Sequence, residues 1–211
     1  MLRNLFKQLV ILPFVLVSAV ASAQTFTFDN ITNNSAVDLG NQLTVDITDG
    51  GMGSVLFDFS NNVGIGSNVA EIYFDAGGFL ASLNIQSQSA GVTFASGLTP
   101  PDLSPPNPPG INPFTTDFGF DIGNNNTGGL NESADSLVLN GVLSGVLTYL
   151  DLINAINSDN FEIALHVRSI EGAGASDSDS YLLNGPSEIP VPAAGWLFGT
   201  ALIGLMGLRR R

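Results

Sequence analysis

The chain has 211 residues, no cysteine and one histidine, His166, which excludes disulfides, thiolate catalysis, zinc–thiolate or iron–sulfur sites and any His-cluster metal centre. Lys and Arg number 6 against 19 Asp and Glu, a formal net charge of −13. Such a surface repels phosphates, so nucleic acid is not expected as a partner; a hydrophobic content of 44% argues against a disordered chain.

The few bases divide the chain. Arg3 and Lys7 stand near the start, Arg209, Arg210 and Arg211 close the sequence, and only Arg168 lies between, whereas every acid except Glu188 falls from Gln24 to Ser187. Bases flanking an apolar run fix which side of a membrane stays cytoplasmic. At the N-terminus, Arg3 and Lys7 precede an apolar run, Leu9 to Val17, interrupted only by Pro13. Ala21-Ser22-Ala23 follows. A charged region, an apolar region and an A-x-A pattern predict a secretory signal peptide over 1–23. Signal peptidase is expected to cut after Ala23, or after Ala21 through Ala19-Val20-Ala21, once the general secretion machinery has exported the chain.

The exported stretch, 24–187, reads as many short strands. They are expected at Thr25–Asp29, Gln42–Ile47, Ser54–Phe59, Val69–Asp75, Phe79–Ile85, Val92–Phe94, Thr115–Ile122, Ser136–Leu143 and Phe161–Ile170. Val55, Phe57 and Phe59 share one face, as do Phe161, Ile163, Leu165 and Val167, the period-two pattern of half-buried strands. Turn residues separate these runs, which predicts an all-β protein: an antiparallel β-sandwich, jelly-roll-like. One short helix is expected over Leu147–Ile156, where apolar residues recur at 147, 150, 153 and 156. Pro100 to Pro113 holds seven of the eleven prolines and reads as an extended surface loop within the sandwich. Asp177-Ser178-Asp179 reads as a Gly/Ser-rich turn, and Pro186 to Glu188 as a linker.

Candidate chemistry is sparse. No G-x-S-x-G elbow occurs, and a Ser/His/Asp set would have to use His166, which reads as a half-exposed strand histidine. Acids are so numerous that no particular carboxylate pair stands out as a glycosidase centre. For calcium, a hard cation that prefers oxygen, Asp117 and Asp121 with Asn124-Asn125-Asn126 are the leading candidates. Asp46 with Asp49 and Asp177 with Asp179 are similar; Asx turns account for the same residues. The N-x-[ST] sequons at Asn30, Asn33, Asn125 and Asn131 permit glycosylation without requiring it.

At the C-terminus, Ala193 to Leu208 carries no charge. As a helix its sixteen residues reach about 24 Å, slightly short of the ~30 Å hydrocarbon core. Trp196 stands where an interfacial aromatic belongs, and the arginines stop translocation. Ile189-Pro190-Val191-Pro192-Ala193-Ala194-Gly195-Trp196-Leu197-Phe198-Gly199, followed by the apolar run and Arg209-Arg210-Arg211, resembles a PEP-CTERM sorting signal over 188–211, with its Pro-x-Pro motif, transmembrane helix (193–208) and basic tail. The commonest motif in that family is Val-Pro-Glu-Pro; Val191 here replaces the glutamate, as in a variant group with an aliphatic residue between the prolines. Gly91-Val92-Thr93-Phe94-Ala95-Ser96-Gly97, Asn131-Glu132-Ser133 and Leu165-His166-Val167-Arg168-Ser169-Ile170 are similar to segments of exported members with a β-rich region.

The resemblance implies recognition and cleavage near Pro190 and Pro192 by an exosortase, a membrane cysteine transpeptidase of Gram-negative bacteria. It implies transient inner-membrane anchoring and release to the cell surface or extracellular matrix. It further implies a link to exopolysaccharide or biofilm; with candidate chemistry so sparse, the expected role is structural or interaction, not enzymatic. Two other expectations stand beside this: a carbohydrate-binding module and a secreted glycan hydrolase.

Overall fold

A computed structural model describes residues 23–62, 64–96, 114–123, 127–173 and 177–186. Residues 1–22 (Ala21 among them), the proline-rich stretch 100–113, Asn124–Asn126 and the sorting segment 188–211 lie outside the described residues.

The elements run β1 (Ala23–Asn30), β2 (Leu43–Gly51), β3 (Ser54–Asn61), β4 (Asn68–Asp75), β5 (Leu80–Gln88), β6 (Ala95–Ser96), β7 (Phe118–Asp121), β8 (Ser136–Leu143), α1 (Tyr149–Ile156), β9 (Glu162–Arg168) and β10 (Asp179–Pro186). The protein is thus mostly antiparallel β with one short helix. All ten strands form one sheet in the order β5-β8-β3-β2-β1-β10-β9-β4-β7-β6. Its edge strands, β5 and β6, come back into contact, so the sheet is nearly a barrel.

Alternation explains which face turns inward. Val55, Phe57 and Phe59 of β3 are buried, as are Leu137, Leu139 and Leu143 of β8 and Ile163, Leu165 and Val167 of β9. The two sides of the sheet meet at Phe74 of β4. Its ring makes edge contacts with Phe57 (5.4 Å), Phe59 (6.1 Å), Phe161 (6.2 Å) and Phe120 (6.3 Å). Phe57 also stacks on Phe161 at 6.1 Å. Aromatic pairs at these separations favour edge and offset geometries over a face-to-face sandwich.

The barrel has two distinct ends. One carries the β2–β3 hairpin tip and α1, and the other carries the long loops between Asn30 and Leu43 and between Arg168 and Asp179. The helix closes its end: Tyr149, Leu152, Ile153, Ala155 and Ile156 are buried, and the Tyr149 hydroxyl donates to the Ile47 carbonyl at 3.1 Å. It starts at Tyr149, two residues later than its apolar spacing predicts, because Thr148 is its cap. Thr148 Oγ1 accepts from the Asp151 N–H, and the Asp151 carboxylate accepts from the Thr148 N–H at 2.8 Å.

Three expectations are corrected. Val92–Phe94 is not a strand. Its N–H groups donate to the Ser89 carbonyl, the Gly128 carbonyl and Gln88 Oε1 instead of a ladder, while Val92 and Phe94 still fill the core. Asp179 belongs not to a turn but to the start of β10, a strand the sequence reading missed. That strand pairs with both β1 and β9, so the two expected sheets are hydrogen-bonded into one. Strand ends also differ: β9 stops at Arg168 because Ser169 turns the chain at φ 55°.

Phe74→Ala removes the ring on which four others converge. It is expected to destabilise the protein by about 3–5 kcal/mol, measured by urea unfolding; a loss below 1 kcal/mol would contradict this packing.

Candidate functional site

A cluster of charged and polar side chains forms on the outer face of β4 and β9. The register explains how. Val69 pairs with Val167 and Glu71 with His166, two steps on β4 against one on β9. A bulge of this kind re-aims side chains. Val69 and Ala70 therefore both enter the core, while Glu71 turns outward to His166 and Arg168.

Glu71 is only 7% exposed, and its carboxylate is fully engaged. The Arg168 guanidinium pairs with Oε1; the Tyr73 hydroxyl donates to Oε2; His166 Nδ1 lies 3.1 Å from Oε2. Asp121 stands opposite Glu71 on β7. Arg168, the one base among the described residues, thus gives the buried Glu71 carboxylate a counter-charge. Burial lowers the pKa of His166, opposed by the negative charge of Asp179. Burial and Asp121 together push Tyr73 well up. A neutral imidazole and an un-ionised phenol, both turned onto one carboxylate, make a brace between strands. The sequence reading placed His166 on a strand but could not pair it, because a period-two reading of β4 puts Glu71 on the face of Val69.

A second buried acid ties the loop after β1 to the start of β10. Asp179 is 1% exposed. It accepts from Thr32 Oγ1 at 2.7 Å, the Asn34 N–H at 2.6 Å and the Ser35 N–H at 3.1 Å. Burial alone would raise its pKa; these donors outweigh burial and hold it below the ordinary carboxylate value.

The calcium candidates take other partners. Asp117 precedes β7 and accepts from the Ala76 N–H at 2.9 Å; Asp121 ends β7 and accepts from the Gly123 N–H at 2.6 Å. Asp49 accepts from the Gly51 N–H at 2.8 Å, and Asp46 from Thr25 Oγ1. Among the described residues, no three His, Cys, Asp or Glu side chains converge to hold a metal ion. Of the sequon residues, Asn30 accepts from the Thr32 and Asn33 N–H groups, and Asn131 donates to the Thr127 carbonyl. The Ala23 of the cleavage motif opens β1 opposite Thr48. Pro190, Val191, Pro192, Trp196, Arg209, Arg210 and Arg211 lie outside the described residues, as does Ala21.

A third group lies on the rim beside α1. Glu162 stands directly opposite Asp75. Burial first, then Asp75 and Asp159, push its carboxyl up to about 7. A raised carboxyl facing a second carboxyl is the kind of pair in which a glycosidase divides acid and base roles. However, two clefts of about 370 and 270 Å³ lie at the far end, lined by Asp38–Gln42 and by Ala90, Asn131, Glu132 and Asp135 respectively. Neither includes Glu162 or Asp75.

A carboxyl whose folded pKa exceeds its unfolded one costs stability as it ionises. For Glu162 the cost is absent below the ordinary value of 4.5, grows as pH rises and is complete above about 7. Glu162→Gln is therefore expected to raise the melting temperature over wild type at pH 8 and to give no gain at pH 4. Equal melting temperatures at pH 8 would contradict the assignment.

Comparison with known proteins finds no family model that matches the chain, no similar curated protein and no matching solved structure.

Proposed function

We propose that this is an exported structural or interaction protein of the cell surface or extracellular matrix, held briefly in the inner membrane by its C-terminal segment and processed by an exosortase. The observation that supports the reading most is the position of the two chain ends. β1 runs antiparallel to β10, and Phe26 pairs with Pro186. The chain therefore enters and leaves the barrel side by side, at the end closed by α1. Every base except Arg168 lies on the segments that continue from these two points. A membrane-inserted leader and a membrane-inserted tail would thus meet the folded domain at one pole.

Two further features fit. The buried acids are engaged by the chain's own donors, which suits a scaffold more than a reaction centre. The three tyrosines are buried, and no aromatic is found among the exposed large hydrophobic side chains of the described residues; a carbohydrate-binding module commonly presents such rings for stacking. The nested strand pairs β1·β10, β4·β9, β5·β8 and β6·β7 favour reading the near-barrel as jelly-roll-like.

The test is the mass of the mature protein. Processing near Pro190 and Pro192 removes roughly the last 20 residues. Pro190→Ala with Pro192→Ala is expected to leave membrane insertion intact and to accumulate full-length protein in the inner membrane. Mature wild-type protein that retains Arg211 would refute processing and leave a simple anchor.

A further inference from the structure

At the end closed by α1, four large apolar side chains face outward: Met52 (107% exposed), Val146 (96%), Leu150 (66%) and Val142 (46%). They belong together. Met52 is the tip of the β2–β3 hairpin; Val142, next to the last residue of β8, lies opposite Ser54; the Leu143 N–H donates to the Gly53 carbonyl at 2.8 Å, holding the segment with Val146 and Leu150 beside the tip. Met52 is the oddest of them. It sits at φ 49° between Gly51 and Gly53, both also at positive φ. Glycine or asparagine would serve that turn at lower strain, so neither folding nor solubility accounts for a methionine there.

The chain ends identify what covers this patch. We propose that the Met52–Val146–Leu150 end docks on the lipid surface into which the C-terminal segment inserts. The proposal rests on the membrane reading above and deepens it. From Pro186 to Ala193, where the uncharged run begins, a fully extended chain spans about 24 Å. Pro186 is level with Phe26, and Ala23 with Thr48. The hairpin from that level to Met52 brings the tip about 23 Å from the level of Pro186 at ~3.3 Å per residue. Even a taut linker therefore ends about level with Met52, and any slack brings the tip into the interface. A second copy of the chain fits the patch poorly, since four side chains fall far short of the ~20–30 residues per side of a stable interface. Asp49 and Asp151 flank the patch, both exposed, so the surface it suits is zwitterionic, not anionic.

The chain has no cysteine and one tryptophan, Trp196, which makes the test direct. Full-length protein carrying Met52→Cys, Val146→Cys or, at the opposite end, Ser133→Cys is labelled with a fluorophore. It is then reconstituted in phosphatidylcholine–phosphatidylethanolamine vesicles. Brominated acyl chains report insertion by quenching Trp196, and nitroxide headgroups report docking by quenching the label. The expected result is Trp196 quenched, with the labels at 52 and 146 quenched several-fold more than that at 133. Trp196 quenched with three equal labels overturns the docking and leaves the membrane reading standing. An unquenched Trp196 removes that reading and the docking with it.

Discussion

Hydrogen bonds between β1 and β10 join the first described strand to the last, and the single ten-stranded sheet depends on them. Without that seam the strand order would part into β5-β8-β3-β2-β1 and β10-β9-β4-β7-β6. Phe26 and Phe28 of β1 and Tyr181 of β10 would lose their shared burial. The seam brings together the two ends of the described chain, so it carries the largest loop-closure cost in the fold. What offsets that cost is concentrated nearby: the apolar faces of both strands, and the buried carboxylate of Asp179 binding the loop that leaves β1.

Charge is the second constraint. An acidic chain must either expose its carboxylates or give each buried one a donor. Glu71 has Arg168, His166 and Tyr73; Asp179 has a hydroxyl and two backbone N–H groups. Glu162 is only half-buried; burial first, and then its acidic neighbours Asp75 and Asp159, raise its pKa. The polar clusters are thus explained by folding, and the apolar cluster at Met52 is the feature that folding leaves over.

Much of this was legible in the sequence because strands with one buried face alternate. Ser136–Leu143 has the predicted bounds, and β1 to β5 lie within a few residues of theirs. Reading failed where something other than alternation decided. Tyr181-Leu182-Leu183 is too short an apolar run to stand out from its Ser/Asp/Gly surroundings, so no strand is expected between the turn at Asp177–Asp179 and the linker from Pro186. Val92 and Phe94 are apolar because they plug the core from a loop. The Glu71 cluster was hidden by a bulge, which no periodicity reports. A long-range pair such as Glu71 with Arg168 leaves no local spacing; the one signal was that a single base stands among all those acids.

The seam is what distinguishes one continuous sheet with adjoining chain ends from two stacked sheets. Native-state hydrogen exchange on the full chain measures it most directly. If β10 is an integral strand, its ladder amides around Tyr181 and Leu183 should open only with global unfolding, at the same free energy as those of Phe57 and Leu139 in the central strands. Amides of β10 that exchange through a low-energy local opening, while β3 and β8 stay protected, would contradict the continuous sheet and the common exit of the two chain ends.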